Sequence, residues 1–136
     1  MNTDSPTCFN ILSTDELHLI QKQKARVTYL KGENIIKHGA PATHVLYVVI
    51  GLVRVYLQAE GSTKQANLRL VKSGDFMAFS SVFGEPIYSY SAIAMKESVI
   101  CMIDKNALKD VLVNNPDFGM LITSRNYQLE QRYLSI

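Results

Sequence analysis

Residues 45–55 read VLYVVIGLVRV, and this stretch decides the fold. Its first six residues are continuously apolar and mostly β-branched, a composition typical of a core strand. Gly51 interrupts the run, and Val53, Val55 and Leu57 then alternate with other residues, as they would on a second strand. The stretch therefore predicts two consecutive core strands separated by a glycine.

Further short strands are predicted on both sides of this stretch. Downstream, Glu60-Gly61-Ser62 is predicted to be a hairpin tip, and residues 65–71 the strand that follows it. Apolar and polar residues alternate along that strand: Ala66, Leu68 and Leu70 are apolar, and Asn67 and Arg69 between them are polar. Upstream, Val27, Tyr29 and Ile35 lie on short predicted strands, and residues 98–103 form a buried one near the end.

Helices are predicted at both ends of the strand region. Ser13 and Glu16 have the spacing of a capping box, and Leu17, Ile20 and Leu19 give the apolar face of a helix ending near Lys24. Asp104 is expected to cap a second helix that carries Leu108, Val111 and Leu112. Asn115 and Pro116 suit the N-cap and first position of a third.

This order of elements predicts the fold class. A helix, about eight short evenly spaced strands and two helices indicate a mainly β protein, an antiparallel β-roll or jelly roll with flanking helices. We expect a leader over residues 1–12, the β-roll with its first helix over 13–115, and a separate last helix over 116–136.

Bulk composition excludes several classes of protein. The chain has 136 residues and a net charge of +2, which is too small to indicate a nucleic-acid partner for this segment. It has no apolar run near the roughly 18 residues of a membrane span and no signal peptide, so we expect a cytoplasmic protein. Cys8 and Cys101 are too few for a disulfide framework, and reduced thiols are expected.

Several runs together resemble the Crp/Fnr-type cyclic-nucleotide-binding domain of bacterial transcription regulators. They are residues 29–33 (YLKGE), 39–55 (GAPATHVLYVVIGLVRV) and 73–76 (SGDF), followed by residues 94–103 and the Asn114-Asn115-Pro116-Asp117 turn. Each motif is common by itself, but their joint order and spacing make the resemblance specific. It covers roughly residues 15 to 136.

The resemblance implies an effector-sensing β-roll whose last helix forms a homodimer, with DNA bound by a winged helix-turn-helix further along. The chain stops at Ile136, before any such module, so we expect it to be the sensing and dimerising half of a regulator. We expect no enzyme activity, since no nucleophile-elbow sequence is present.

Residues 73–95 form the part of the sequence that resembles the family's phosphate-binding cassette, and they contain no Lys, Arg or His. In relatives that bind cyclic AMP, a Glu contacts the ribose and an Arg followed by Ser or Thr holds the phosphate. The resemblance aligns these positions with Phe79 and with Tyr88-Ser89. Since a buried anion needs a paired cation, we predict that cyclic AMP is not bound in the usual mode.

Two interpretations of the cassette remain open. In the first, Phe79, Tyr88, Tyr90 and Met77 line an apolar pocket whose polar groups orient a different small molecule. Those polar groups are the hydroxyls of Ser80, Ser81 and Ser89. In the second, Phe79 and Tyr88 simply fill the old site, and the domain is a scaffold without a ligand.

The last helix carries a heptad pattern that predicts a dimer seam. Its members are Phe118, Ile122, Arg125, Leu129, Arg132 and Ile136, and Leu121 and Tyr133 widen the face. Two small polar residues of this helix touch the ligand in cyclic-AMP-binding relatives. The resemblance aligns them with Tyr133 and Leu134, which again indicates a site that is filled by side chains or suited to a different ligand.

A metal or cofactor site is not expected. His18, His38 and His44 do not have the spacing of metal ligands, although one of them could serve as an axial haem ligand. A small cupin-like metal protein and a stand-alone structural domain without a ligand are the alternatives to a regulator.

Overall fold

The computed structural model describes residues 11–22 and 24–124. Helix α1 spans Thr14–Lys22, α2 spans Lys105–Asn114, and residues 116–124 form a third helix, α3. A short 3-10 helix spans Phe79–Phe83. The strands of the described residues are β1 (Lys24–Tyr29), β2 (Asn34–Ile36), β3 (His44–Ile50), β4 (Leu52–Gln58), β5 (Gln65–Lys72), β6 (Phe76–Met77), β7 (Ser91–Ala94) and β8 (Ser98–Asp104).

The strands form two antiparallel sheets, which confirms the predicted β-roll with flanking helices. Sheet 1 has the order β1-β8-β3-β6, and sheet 2 has the order β2-β7-β4-β5. The chain passes from sheet 1 to sheet 2 at Gly51, between β3 and β4. In the described part of the chain, no helix is both long and apolar enough to cross a membrane.

Strand β3 is covered on both faces, which explains its continuous apolar sequence. Val45 and Tyr47 belong to a core cluster shared with the helices. Leu46 and Val48 belong to a second cluster, shared with residues of both sheets inside the roll. Because side chains alternate along a strand, a strand between two cores needs apolar residues at successive positions.

The capping box at α1 is confirmed. The Ser13 backbone N–H donates to Glu16 Oε1 at 3.0 Å, and the Glu16 N–H donates to Ser13 Oγ at 3.2 Å. The bond from the Ser13 backbone is the main cause that lowers the pKa of the Glu16 carboxyl. Ile20 is fully buried as predicted, but Leu19 is 40% exposed, and the helix ends at Lys22 because β1 already begins at Lys24.

The predicted N-caps of the two helices near the C-terminus are also confirmed. Asp104 Oδ2 accepts from the backbone N–H groups of Asn106 and Ala107, both at 3.0 Å, at the start of α2. Asn115 Oδ1 accepts from the Phe118 N–H at 3.1 Å, at the start of α3. These contacts span two or three residues, so the local sequence alone was sufficient to predict them.

Two alternating patterns of sheet 2 were misleading. Leu68 and Leu70 are exposed, whereas Arg69 is half-buried and Val71 fully buried. The pairing register sets this, because Arg69 lies opposite Val55 and both belong to the inner face. The register shifts just after Val55, and as a result Leu57 is exposed instead of continuing the buried pattern.

Candidate functional site

The cassette begins where β6 ends. Tyr47 and Leu46 of β3 pair with Phe76 and Met77 of β6, which fixes the start of the segment against sheet 1. The chain then turns sharply at Ala78 and forms the 3-10 helix. Gly84 closes this helix at a φ of 101°, a conformation that glycine adopts without steric cost.

Ala78 is held in a strained conformation by contacts on both sides. Its φ is 58°, in the left-handed region that costs a non-glycine residue about 1–2 kcal/mol. The Ser81 hydroxyl and the Ser81 N–H both donate to the Ala78 carbonyl, at 2.8 and 3.2 Å. The Ala78 N–H donates to the hydroxyl of Tyr90, from the far end of the cassette. The surrounding hydrogen bonds therefore maintain the turn.

A cation reaches the cassette from outside its own sequence. Arg69 of β5 points into the roll, and its Nη2 donates to the Phe76 carbonyl at 3.1 Å. Its guanidinium also lies close enough to the Tyr90 hydroxyl to lower the pKa of that phenol. Within the described residues Arg69 makes no ion pair with a carboxylate. The absence of basic residues from 73–95 therefore does not leave the folded cassette without a positive charge.

Tyr90 is a half-buried polar group of the site. Burial raises the pKa of its phenol, an effect that the charge of Arg69 partly offsets. The hydroxyl therefore stays protonated at neutral pH, and its oxygen accepts from the Ala78 N–H, with the Arg69 guanidinium nearby. Tyr88, by contrast, is bound to β3: its hydroxyl donates to the His44 carbonyl at 3.1 Å and accepts from the His44 N–H at 3.3 Å.

The return segment after the 3-10 helix is fastened to residues 39–42. Backbone bonds join Ala42 N–H to the Pro86 carbonyl, Tyr88 N–H to the Ala40 carbonyl and Gly39 N–H to the Tyr88 carbonyl, all at 2.9–3.0 Å. The cleft that remains is nowhere wide enough to hold a water molecule. It is lined among others by Ser80, Ser81, Tyr88, Ser89 and Tyr90.

The predicted pocket residues thus have different surroundings. Ser80, Ser81, Tyr88 and Ser89 surround the cleft, where Ser80 Oγ donates to Glu85 Oε2 at 3.0 Å. Phe79 is packed instead toward the helices, between Phe76 and Phe83, with ring centroids 6.0 and 5.9 Å away. Met77 is fully buried in the roll core. Tyr133 and Leu134 lie outside the described residues.

The first two positions of the predicted seam face inward. Phe118 and Ile122 are fully buried in the domain's own core, in the cluster that contains Leu108 and Val111 of α2. They therefore pack on the β-roll side and are not available to a partner helix. Arg125, Leu129, Arg132 and Ile136 lie outside the described residues.

A different face of α3 is open. Together with the 3-10 helix and α2 it forms an apolar groove of about 570 Å3. Residues lining the groove include Val82, Phe83, Leu112, Val113, Gly119 and Met120. Met120 is 70% exposed and Phe83 69% exposed, although both are large apolar side chains.

The histidines do not assemble a metal site. His44 Nδ1 is 2.8 Å from the hydroxyl of its neighbour Thr43. No group of three or more His, Cys, Asp or Glu side chains could hold a metal ion within residues 11–22 and 24–124. Cys101 is buried in β8, and Cys8 lies outside the described residues.

The fold and the cassette together define a class of protein. The family model of the cyclic nucleotide-binding domain matches residues 26–115, and the chain belongs to that family. No curated protein sequence matches it.

Solved structures with the same fold include several transcription regulators. The sensor domain of the transcriptional regulator DNR from Pseudomonas aeruginosa matches with a TM-score of 0.78 and 23% identity, over 95% of this chain and 87% of that one. The catabolite activator protein of Thermus thermophilus matches with a TM-score of 0.70 and 22% identity, over 94% and 62%. The c-di-GMP-responsive regulator CLP of Xanthomonas campestris matches with a TM-score of 0.73 and 18% identity, over 90% and 60%. At these identities the likeness concerns the fold.

Proposed function

We propose that this chain is the effector-sensing and dimerising domain of a Crp/Fnr-type transcription regulator, and that it does not respond to cyclic AMP. The observation that carries the second part is the closed cleft, lined by Tyr88 and Tyr90, beside a cassette with no basic residue of its own. In the proposal, residues 13–115 sense a small molecule and residues 116–136 form the dimer. DNA is bound in the cytoplasm by a further C-terminal domain of the regulator.

The energetics support the exclusion of a cyclic nucleotide. Loss of one partner of a buried charged pair costs about 2–5 kcal/mol, roughly 30- to several-thousand-fold in affinity. Arg69 does not replace the missing arginine, since its guanidinium already donates to the Phe76 carbonyl and lies beside the Tyr90 hydroxyl. A nucleotide would also have to displace Tyr90 and detach the return segment from residues 39–42.

The first test is a thermal shift with cyclic nucleotides. We expect cyclic AMP and cyclic GMP at about 1 mM to move the Tm by less than 1 °C, because only a ligand that binds the folded state raises its stability. A cyclic-AMP-binding regulator measured alongside should shift by several degrees. A shift of several degrees in this protein would contradict the proposal.

A ligand-free, stand-alone scaffold is the second candidate, and the same closed cleft favours it. The regulator would carry a DNA-binding domain after this one and would bind an effector, whereas the scaffold would do neither. A reading frame that continues past Ile136 into a helix-turn-helix would support the regulator, and a stop codon directly after it would support the scaffold.

The proposed dimer uses the open face of α3 instead of the predicted heptad members. Gly119, Met120 and Thr123 lie at helical spacing along the groove, and a second copy of the helix would cover them. Gly119 already lies close to α2, where an added Cβ would be 3.6 Å from the Leu112 carbonyl. Burying exposed apolar side chains such as Met120 gives the association its free energy.

Replacing Met120 by glutamate tests this face. We expect the wild-type chain to sediment as a dimer and Met120→Glu to weaken the dimer at least tenfold, because a carboxylate in an apolar interface must be desolvated. Leu30→Glu is the matched control, since Leu30 is 57% exposed on the turn after β1. A monomeric wild type, or equal dimerisation of both variants, would remove the proposed interface.

A further inference from the structure

The starting observation is a backbone donor and a cation that converge on one hydroxyl group. The Ala78 N–H donates to the Tyr90 hydroxyl oxygen, and the Arg69 guanidinium lies close enough to that hydroxyl to lower the pKa of the phenol. The donor is the backbone amide that starts the 3-10 helix, and the cation is half-buried with no carboxylate partner in the described chain. Two such groups make a cradle for an electron-rich oxygen.

We infer that Tyr90 is a built-in occupant of the cassette, whose phenol oxygen fills this cradle and holds the cassette closed without a bound ligand. The inference rests on the proposed function, because it concerns how that sensing site is regulated. Without the Tyr90 oxygen, Ala78 would keep its strained conformation with an unpaired N–H, and Arg69 would keep only the Phe76 carbonyl.

The same contact reaches the helices through the 3-10 helix. Val82, four residues after Ala78, is packed in the core cluster that contains Phe118 and Ile122 of α3. Phe79 packs against that cluster as well. A change in the position of the 3-10 helix therefore has to move side chains against which α3 is packed, since interiors are close-packed. Occupation of the cradle by Tyr90 would thus set the position of α3.

Tyr88 provides an internal comparison. It lies two residues from Tyr90, lines the same cleft and makes two hydrogen bonds through its hydroxyl. Both of these go to the backbone of His44 in β3, away from Arg69 and the 3-10 helix. Removal of either hydroxyl keeps the aromatic ring, so the two substitutions differ mainly in which donors they leave unpaired.

A double-mutant cycle tests the coupling between Arg69 and Tyr90. We expect Tyr90→Phe to lower the Tm by about 5–10 °C, which is the usual cost of leaving a buried hydrogen-bond donor without its acceptor, converted to a Tm change for a chain of this size. We expect Arg69→Met together with Tyr90→Phe to lose at least about 3 °C less than the sum of the single losses. Tyr88→Phe with Arg69→Met should be additive. Additive losses for the Tyr90 pair would overturn the inference.

Hydrogen exchange provides the second readout on the same variants. We expect Tyr90→Phe to speed amide exchange at least fivefold in residues 79–83 and in residues 116–124, and Tyr88→Phe to leave both segments unchanged. Unchanged exchange in Tyr90→Phe would refute the inference even if the Tm falls. Cyclic AMP binding to the wild-type protein would instead refute the proposed function, so the two failures are distinguishable.

Discussion

Phe118→Ala is expected to lower the free energy of unfolding by about 3–5 kcal/mol, the usual cost of removing a buried aromatic side chain. Phe118 is fully buried in the core between sheet 1 and the helices. Domains of this size have a total stability of about 5–15 kcal/mol. The variant should therefore lose about a fifth or more of its stability, as measured by urea unfolding.

Met120→Ala is the control, because Met120 is on the same helix and 70% exposed. Its free energy of unfolding should change by about 0.5 kcal/mol or less when the protein is monomeric. The loss in Phe118→Ala should also be independent of protein concentration, since the contacts are within one chain. A concentration-dependent loss would mean that Phe118 is a dimer contact after all, as the heptad pattern predicted.

Gly51→Ala is expected to be the second most damaging change. A Cβ at this position would be 2.1 Å from Ser98 Oγ and 2.8 Å from Ser98 Cα, and the φ of Gly51 is +136°. Overpacking costs about 1–3 kcal/mol, and a conformation reserved for glycine about 1–3 kcal/mol more. Ser98 cannot easily move, because its hydroxyl donates to the Lys96 carbonyl and accepts from the Leu52 N–H.

Gly61→Ala separates the cost of overpacking from the cost of a positive φ at a residue other than glycine. Gly61 also has a positive φ, of +74°, but an added Cβ there would meet nothing within 4 Å. This control should therefore lose only the backbone part, about 1–2 kcal/mol. Urea unfolding of both variants measures the difference. If Gly51→Ala were as stable as Gly61→Ala, the close approach of β8 to the junction between the two sheets would not constrain the fold.

Local sequence was sufficient to predict the helix caps and the strands. The capping box of Ser13 and Glu16 and the cap at Asp104 depend on atoms two or three residues apart. The continuous apolar run of β3 required cover on both faces, whatever the rest of the chain did. These features needed no knowledge of which strands pair.

The candidate site depended on long-range pairing and could not be derived in the same way. The sequence pattern showed a cassette without a cation, but the fold brings Arg69 to it from β5. The alternation of β5 does not say which of its faces is the inner one, and Leu68 and Leu70 pointed to the wrong face. Only the register that sets Arg69 opposite Val55 decides this.

The last helix also combines a local pattern with a contact set by tertiary structure. By itself the sequence determined a mainly β fold and a segment without basic residues, because composition and short-range spacing carry that information, and its resemblance to a known family implied that this segment is the ligand cassette. Tertiary structure alone decided that Phe118 and Ile122 face inward and that Tyr90 meets both Arg69 and Ala78. A periodic pattern tells which residues share a face, but the partner of that face is chosen by packing between distant parts of the chain.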